Sequence, residues 1–242
     1  MSRVAMITGA AGGLGLACAR HFGDGGLRLV LVDLDETALG DTVASLNTAG
    51  RPVIGLPTDV RTASACRTAM QAAVAEYGRV DVLVNAAGVY PRVAPLEITE
   101  KQWRLDFDVN VLGTYFMMVA AVADMRTRQR GHIVNVSSVD AFIAKPQNAH
   151  YAATKAAVVS LTRSIAEEVA PLGILVNAVA PGPMATERAK ATDWYASMVE
   201  GLPTRAAIEP EEVADTVAFL SREGNVSTTG ETVIVSGGGV IV

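Results

Sequence analysis

Tyr151 and Lys155 stand four residues apart in the run Tyr151-Ala152-Ala153-Thr154-Lys155, thirteen residues after Ser138. On a helix that spacing puts both side chains on one face, with Cβ atoms about 6 Å apart. A free phenol titrates near pKa 10, too high for proton exchange at neutral pH. A neighbouring ammonium favours the phenolate and is expected to pull that value down. The pair is therefore a candidate acid/base for interconverting a carbonyl and an alcohol. Among the 5 tyrosines only Tyr151 has a lysine four residues on. Taken alone, the spacing also fits a surface tyrosine beside a solvated lysine, so it needs other motifs around it.

The second cluster is glycine-rich. Thr8-Gly9-Ala10-Ala11-Gly12-Gly13-Leu14-Gly15 follows a short β-branched run and opens a helical pattern, the context a dinucleotide-binding turn requires. Gly9 suits the tight turn, Gly13 a close approach to a pyrophosphate, and Gly15 helix–sheet packing. A helix starting there offers free amides and a partial positive charge to phosphates. Asp33, eighteen residues after Gly15 at the end of the second apolar run, is placed to accept hydrogen bonds from adenosine ribose hydroxyls. A 2′-phosphate about 4 Å from that carboxylate would cost roughly 4 kcal/mol at an effective dielectric of 20. No arginine or lysine at 10–14 or 34–36 relieves it, so the expected cofactor is NAD, not NADP.

These residues need a scaffold. The expected strands are Val4–Ile7, Leu27–Asp33, Val53–Pro57, Val80–Asn85, His132–Ser137, Ile174–Ala180 and Glu231–Val235. They are continuous apolar runs without alternation, the pattern of parallel strands buried on both faces. Helical patterns fall between them near 13–24, 35–49, 62–77, 99–126, 150–170 and 210–221. The repetition predicts an α/β fold: one Rossmann-like domain over 1–242, a doubly wound parallel sheet of about seven strands with helices on both faces. The segment 183–208 breaks the pattern and is expected to cover a substrate site.

Composition excludes several classes. Half of the 242 residues are hydrophobic, 22 are glycine and the formal net charge is -5. No basic stripe suggests nucleic acid. No apolar run is expected to reach the ~18 residues of a membrane span. Cys18 and Cys66 sit in no metal-ligand spacing and suggest a reducing compartment; the expected location is the cytoplasm and no metal is expected.

On these motifs the chain resembles the short-chain dehydrogenase/reductase family, in its single-domain branch, from residue 2 to 242. Thr8–Gly15 is similar to the family's T-G-x-x-x-G-x-G. Asp59-Val60 resembles the acidic dipeptide beside the adenine, and Asn85-Ala86-Ala87-Gly88 its N-N-A-G motif, with Ala86 in place of an asparagine. Asn110, Ser138, Tyr151 and Lys155 match the catalytic positions; Pro181-Gly182 and Thr186 match the motif on the nicotinamide side. The C-terminal Ser236-Gly237-Gly238 departs from a frequent D-G-G.

The resemblance implies roles. Tyr151 would be the general acid/base, Ser138 would bond the substrate oxygen, Lys155 would hold the nicotinamide ribose, and Asn110 would position a water of the proton relay. Gly9, Gly13, Leu14, Gly15, Asp33, Leu34, Asp59, Val60, Asn85–Gly88, Tyr151, Lys155, Pro181, Gly182 and Thr186 would contact the cofactor. Ser137 competes for the serine role, but the thirteen-residue interval favours Ser138.

Tyr90, Asp140, His150, Pro183, Met184 and Trp194, with Arg92, Phe142, Lys145 and Asn148, are expected around the substrate. Their character suits a hydrophobic or cyclic secondary alcohol. Arg92 and Lys145 read more simply as solvated cations than as anion ligands, and His150 as a hydrogen-bonded neighbour. Residues 109–123 and 156–169 read as apolar on several faces, which together with the family resemblance points to a homotetramer. The Val240-Ile241-Val242 tail fits an interface or a docked strand. Competing readings are an NADPH-dependent reductase, a non-catalytic cofactor sensor on the same fold, and an epimerase or dehydratase, which usually carries a longer substrate portion.

Overall fold

A computed structural model describes residues 2–242. Seven parallel strands form one sheet in the order β3-β2-β1-β4-β5-β6-β7. They are β1 Val4–Thr8, β2 Arg28–Asp33, β3 Val53–Pro57, β4 Val82–Asn85, β5 Gly131–Val136, β6 Ile174–Pro181 and β7 Thr232–Val235. Each expected strand is present, with ends displaced by one or two residues. The largest displacement is at β4, which begins at Val82; Asp81 just before it still bonds both neighbours, its amide donating to the Val4 carbonyl at 2.9 Å and its carbonyl accepting the His132 amide at 3.0 Å.

Along β1 the side chains alternate between two cores. Ala5 and Ile7 pack with helices α1 (Gly13–Asp24), α2 (Glu36–Thr48) and α9 (Pro210–Ser221). Val4 and Met6 face α3 (Ala63–Tyr77), α5 (Thr114–Met125) and α6 (Ala149–Val169). Period-two alternation on a sheet covered on both faces explains why the strands read as unbroken apolar runs.

The long helical pattern near 99–126 is not uniform. α4 (Glu100–Asp106), opened by a Thr99–Gln102 capping box, passes into a π-helical turn at Phe107–Gly113 and then into α5. Wide turns of this kind recur at functional sites, and here the turn carries Asn110. By length and composition the run Glu100–Met125 reaches what a membrane span needs, contrary to the expectation; in this fold Met117, Met118, Ala121 and Met125 are buried in the core.

Two further expectations are corrected. α6 does have a polar side: Ser160, Arg163, Ser164 and Glu167 are exposed. α5 and the π turn before it instead expose an apolar stripe, Leu112, Tyr115 and Val119. In the tail Val240 is buried while Ile241 and Val242 are exposed, so no terminal strand docks.

The strand order reverses between β1 and β4, whose residues Thr8 and Asn85 pair. Crevices form outside the carboxyl ends of strands at such a switch point, and the site lies there.

Candidate active site

A cleft of about 1250 Å³ runs across those strand ends. One end is built by the glycine turn. Gly9 has φ +66, and a side chain there would come within 2.8 Å of the Ala87 backbone; one at Gly15 would come within 2.1 Å of the Gly9 carbonyl. The turn therefore lies directly on the loop after β4, and only glycine permits it. Thr8 ties the two loops further: its Oγ1 accepts the amides of Ala86 and Ala87, both at 3.1 Å. No side chain caps α1, which leaves its first amides facing the cleft for an anion.

Asp33 closes the same end. Its carboxylate accepts the Ala11 amide at 3.0 Å and the Asp35 amide at 3.1 Å. Nearby Asp59 is bound by Arg61 at 2.6 Å, and that hydrogen bond holds its carboxyl below the usual carboxylate range. An uncapped helix start, a close-lying glycine turn and a strand-end carboxylate fit a dinucleotide.

The other end carries the candidate acid/base groups. Ser138 follows β5 in extended conformation, and its Oγ accepts the Asp140 amide at 3.1 Å. Ser138 lines the cleft; Ser137 points into the protein, where its Oγ donates to the Lys155 carbonyl at 2.9 Å. This separates the two serines as strand alternation requires. Tyr151 and Lys155 sit in the first turns of α6 and both line the cleft.

Their electrostatics differ from the expectation. The Lys155 Nζ lies 5.6 Å from the Tyr151 ring centre and donates to the Val136 carbonyl at 2.8 Å. Burial pulls the ammonium down to about 8, with Asp106 opposing. Burial also raises the Tyr151 phenol above its ordinary value; a hydrogen bond with Ser138 offsets this in part, while Asp140, Tyr90 and Asp106 add to it. In the protein alone, desolvation outweighs the lysine.

Most expected site residues line the cleft: Leu14, Leu34, Val60, Ala86, Ala87 and Gly88, and on the substrate side Tyr90, Asp140, Pro183, Met184 and Trp194, with Pro181, Gly182 and Thr186 between. Arg92, Lys145 and Asn148 join them, and Phe142 does not. Three expected residues stand behind the wall. The Asn85 side chain turns inward and donates to Asn135 at 2.9 Å. Asn110 is fully buried and exchanges two bonds with the Val89 backbone, both at 2.9 Å, and donates a third to Thr154 at 3.0 Å. Its side chain is thus spent on joining the π turn, the loop after β4 and α6.

His150 is fully buried against Trp103 and 3.6 Å from the Asp106 carboxylate. Its place in the substrate pocket is corrected, because the residue before Tyr151 on a helix faces the core. Burial lowers His150 and raises Asp106 to about 6, Lys155 opposing. Asp106 has no hydrogen-bond partner for either oxygen, nor His150 for either nitrogen. Sequence reading missed Asp106; it ends the polar helix α4 (EKQWRLD), where an acid carries no signal of burial. It also missed Arg188, which lines the cleft from α7 (Glu187–Lys190). With α8 (Tyr195–Glu200), α7 makes up much of the covering segment 183–208.

A family model described as enoyl-(acyl carrier protein) reductase matches residues 9–239. The chain belongs to the short-chain dehydrogenase/reductase family. It is 39% identical to the short-chain reductase protein NovJ of Streptomyces niveus, across 97% of this chain and 93% of the relative. It is 37% identical to the cis-4-hydroxycyclohexanecarboxylate dehydrogenase of Sinomonas cyclohexanicum, across 98% and 96%. Among solved structures, ElxO with NADP bound superimposes with a TM-score of 0.90 at 29% identity, covering 99% of both chains. The chain is accordingly an oxidoreductase of hydroxyl and keto groups that uses a nicotinamide cofactor.

Proposed function

We propose that the protein is an NAD-dependent dehydrogenase that interconverts a secondary alcohol and a ketone, acting on a hydrophobic or cyclic substrate. The observation that carries this is one cleft joining Asp33 and the open start of α1 to Ser138, Tyr151 and Lys155. Apolar Met184, Pro183 and Trp194 on the substrate side support an apolar ring, as does the relative named for a ring alcohol.

The α1 amides would hold the pyrophosphate, Asp33 the adenosine ribose, Asp59-Val60 the adenine side, Lys155 the nicotinamide ribose, and Pro181-Gly182 with Thr186 the nicotinamide side. When bound, the nicotinamide supplies the hydride acceptor or donor and, oxidised, a positive charge. Tyr151 takes the proton from the carbinol oxygen in oxidation and returns it in reduction. Ser138 donates to that oxygen. Burial keeps Tyr151 protonated in the protein alone; added positive charge shifts it towards the phenolate. Asn110 braces the wall behind these groups.

A panel of secondary alcohols with NAD, followed by absorbance of the reduced cofactor, tests this reading. Turnover of apolar ring alcohols is expected. The relative with NADP bound makes NADPH the second reading; strong preference of the wild type for NADP would overturn the role given to Asp33. A homotetramer is part of the proposal, supported by the exposed Leu112, Tyr115 and Val119 stripe; a monomer in light scattering would count against it. Two free, buried thiols, Cys18 and Cys66, support a cytoplasmic location.

A further inference from the structure

The charges that line the cleft do not balance. Asp59 is bound by Arg61 and Asp140 by Lys145, the latter at 3.3 Å. Glu187 is bound by Lys190 at 3.2 Å. Asp33 accepts two backbone amides, and Lys155 donates to Val136. Two cations remain. Arg188 has its guanidinium 4.3 Å over the Tyr90 ring, and Arg92 has its own 4.8 Å over the Trp194 ring. Among the described residues neither has a carboxylate within 4.0 Å. Arg92 has one side-chain partner, the Gln147 Oε1 at 3.1 Å.

Their placement gives the imbalance a meaning. Tyr90 meets the Tyr151 ring edge-on at 6.2 Å, so Arg188 is one aromatic ring away from the acid/base. Arg92 from the loop after β4 and Arg188 from α7 both line the cleft. An arginine laid on an aromatic face keeps its planar fork free and pre-oriented, and the fork matches a carboxylate bidentately. Lys145, the third cation there, is neutralised by Asp140.

We propose that the substrate carries a carboxylate, which Arg188 and Arg92 receive at the outer end of the cleft while the carbinol carbon faces Tyr151. This rests on the oxidoreductase reading and narrows its substrate to hydroxy or keto acids.

The test uses a matched set: a cyclohexanone bearing a carboxylate across the ring, its carboxamide and its methyl ester, each with NADH. In the wild type the acid is expected to exceed the amide in kcat/KM by about tenfold or more, the range of a charge-assisted bond. In an Arg92→Met, Arg188→Met double variant, whose stems keep their hold on the rings, the ratio should fall to near one through loss of the acid. Calorimetric binding of acid and amide to the NADH-loaded protein gives the same comparison without turnover. Turnover of the amide and ester with no preference for the acid would overturn the carboxylate alone. Preferential binding of the acid without reduction of any compound would overturn the dehydrogenase reading and keep the clamp. NADH binding weakened by Arg188→Met as much as acid binding would assign that arginine to the cofactor and overturn the proposal.

Discussion

The two ends of the cleft treat charge in opposite ways. At the adenosine end Asp33 and Asp59 are partly exposed and fully engaged, Asp33 by amides and Asp59 by Arg61, which holds it ionised. At the catalytic end Tyr151, Lys155 and Asp106 are shifted towards their neutral forms by burial. On the proposed function, the fixed charges recognise and the marginal ones exchange protons. One fold achieves both because the first end sits on solvated loops and the second on helices pressed against the sheet.

The largest test of this contrast is Tyr151→Phe. Removal of the one group placed to exchange the substrate proton should cut turnover by about a thousandfold or more, while NAD binding, measured by calorimetry, persists. Undiminished activity would end the distinction. Next is the fixed-charge end: Asp33→Ala with Leu34→Arg should move the NAD/NADP ratio of kcat/KM towards NADP by up to about a thousandfold, since a repulsion of roughly 4 kcal/mol is removed. An unchanged ratio would show that Asp33 does not recognise.

Asp106→Asn sharpens the catalytic side. An ionised Asp106 stabilises the Lys155 ammonium and disfavours the Tyr151 phenolate. Without it both groups lose protons more readily, so the pH profile of alcohol oxidation should move to lower pH on both limbs. A profile that superimposes on the wild type after scaling would refute the coupling. Stability gives an independent sign. The Asp106 carboxyl is raised from 3.8 to about 6, so between those values the folded state holds a proton that the unfolded state has released, and stability falls as pH rises. The penalty, up to about 3 kcal/mol for two units, is complete above pH 6. Asp106→Asn should remove that slope in urea unfolding. The smallest effect separates the serines: Ser137→Ala loses one buried hydrogen bond and about 1 kcal/mol, whereas Ser138→Ala should mainly reduce turnover.

Sequence made the recognition end more legible than the catalytic one, and the same contrast explains it. Gly9, Gly15 and Asp33 act through local backbone geometry, so their spacing carries the information. The strands were legible because burial on both faces leaves only apolar residue types. The π turn at Phe107–Gly113 was not, since one extra residue in a helical turn changes no composition. Lys155 and Tyr151 were legible as a pair. Their protonation was not, because it depends on burial and on Asp106, which reaches them from another helix. The inward turn of Asn85 and His150 likewise depends on partners, Asn135 and Asp106, that proximity in sequence does not indicate.

Thr8 has a consequence beyond its two bonds. By fastening the loop after β4 to the glycine turn, its hydroxyl makes the floor under both halves of a dinucleotide a single rigid body. Accommodation of differently shaped substrates then falls mainly to the facing wall, residues 183–208, and exchange of that wall should re-tune selectivity without disturbing how the nucleotide is seated.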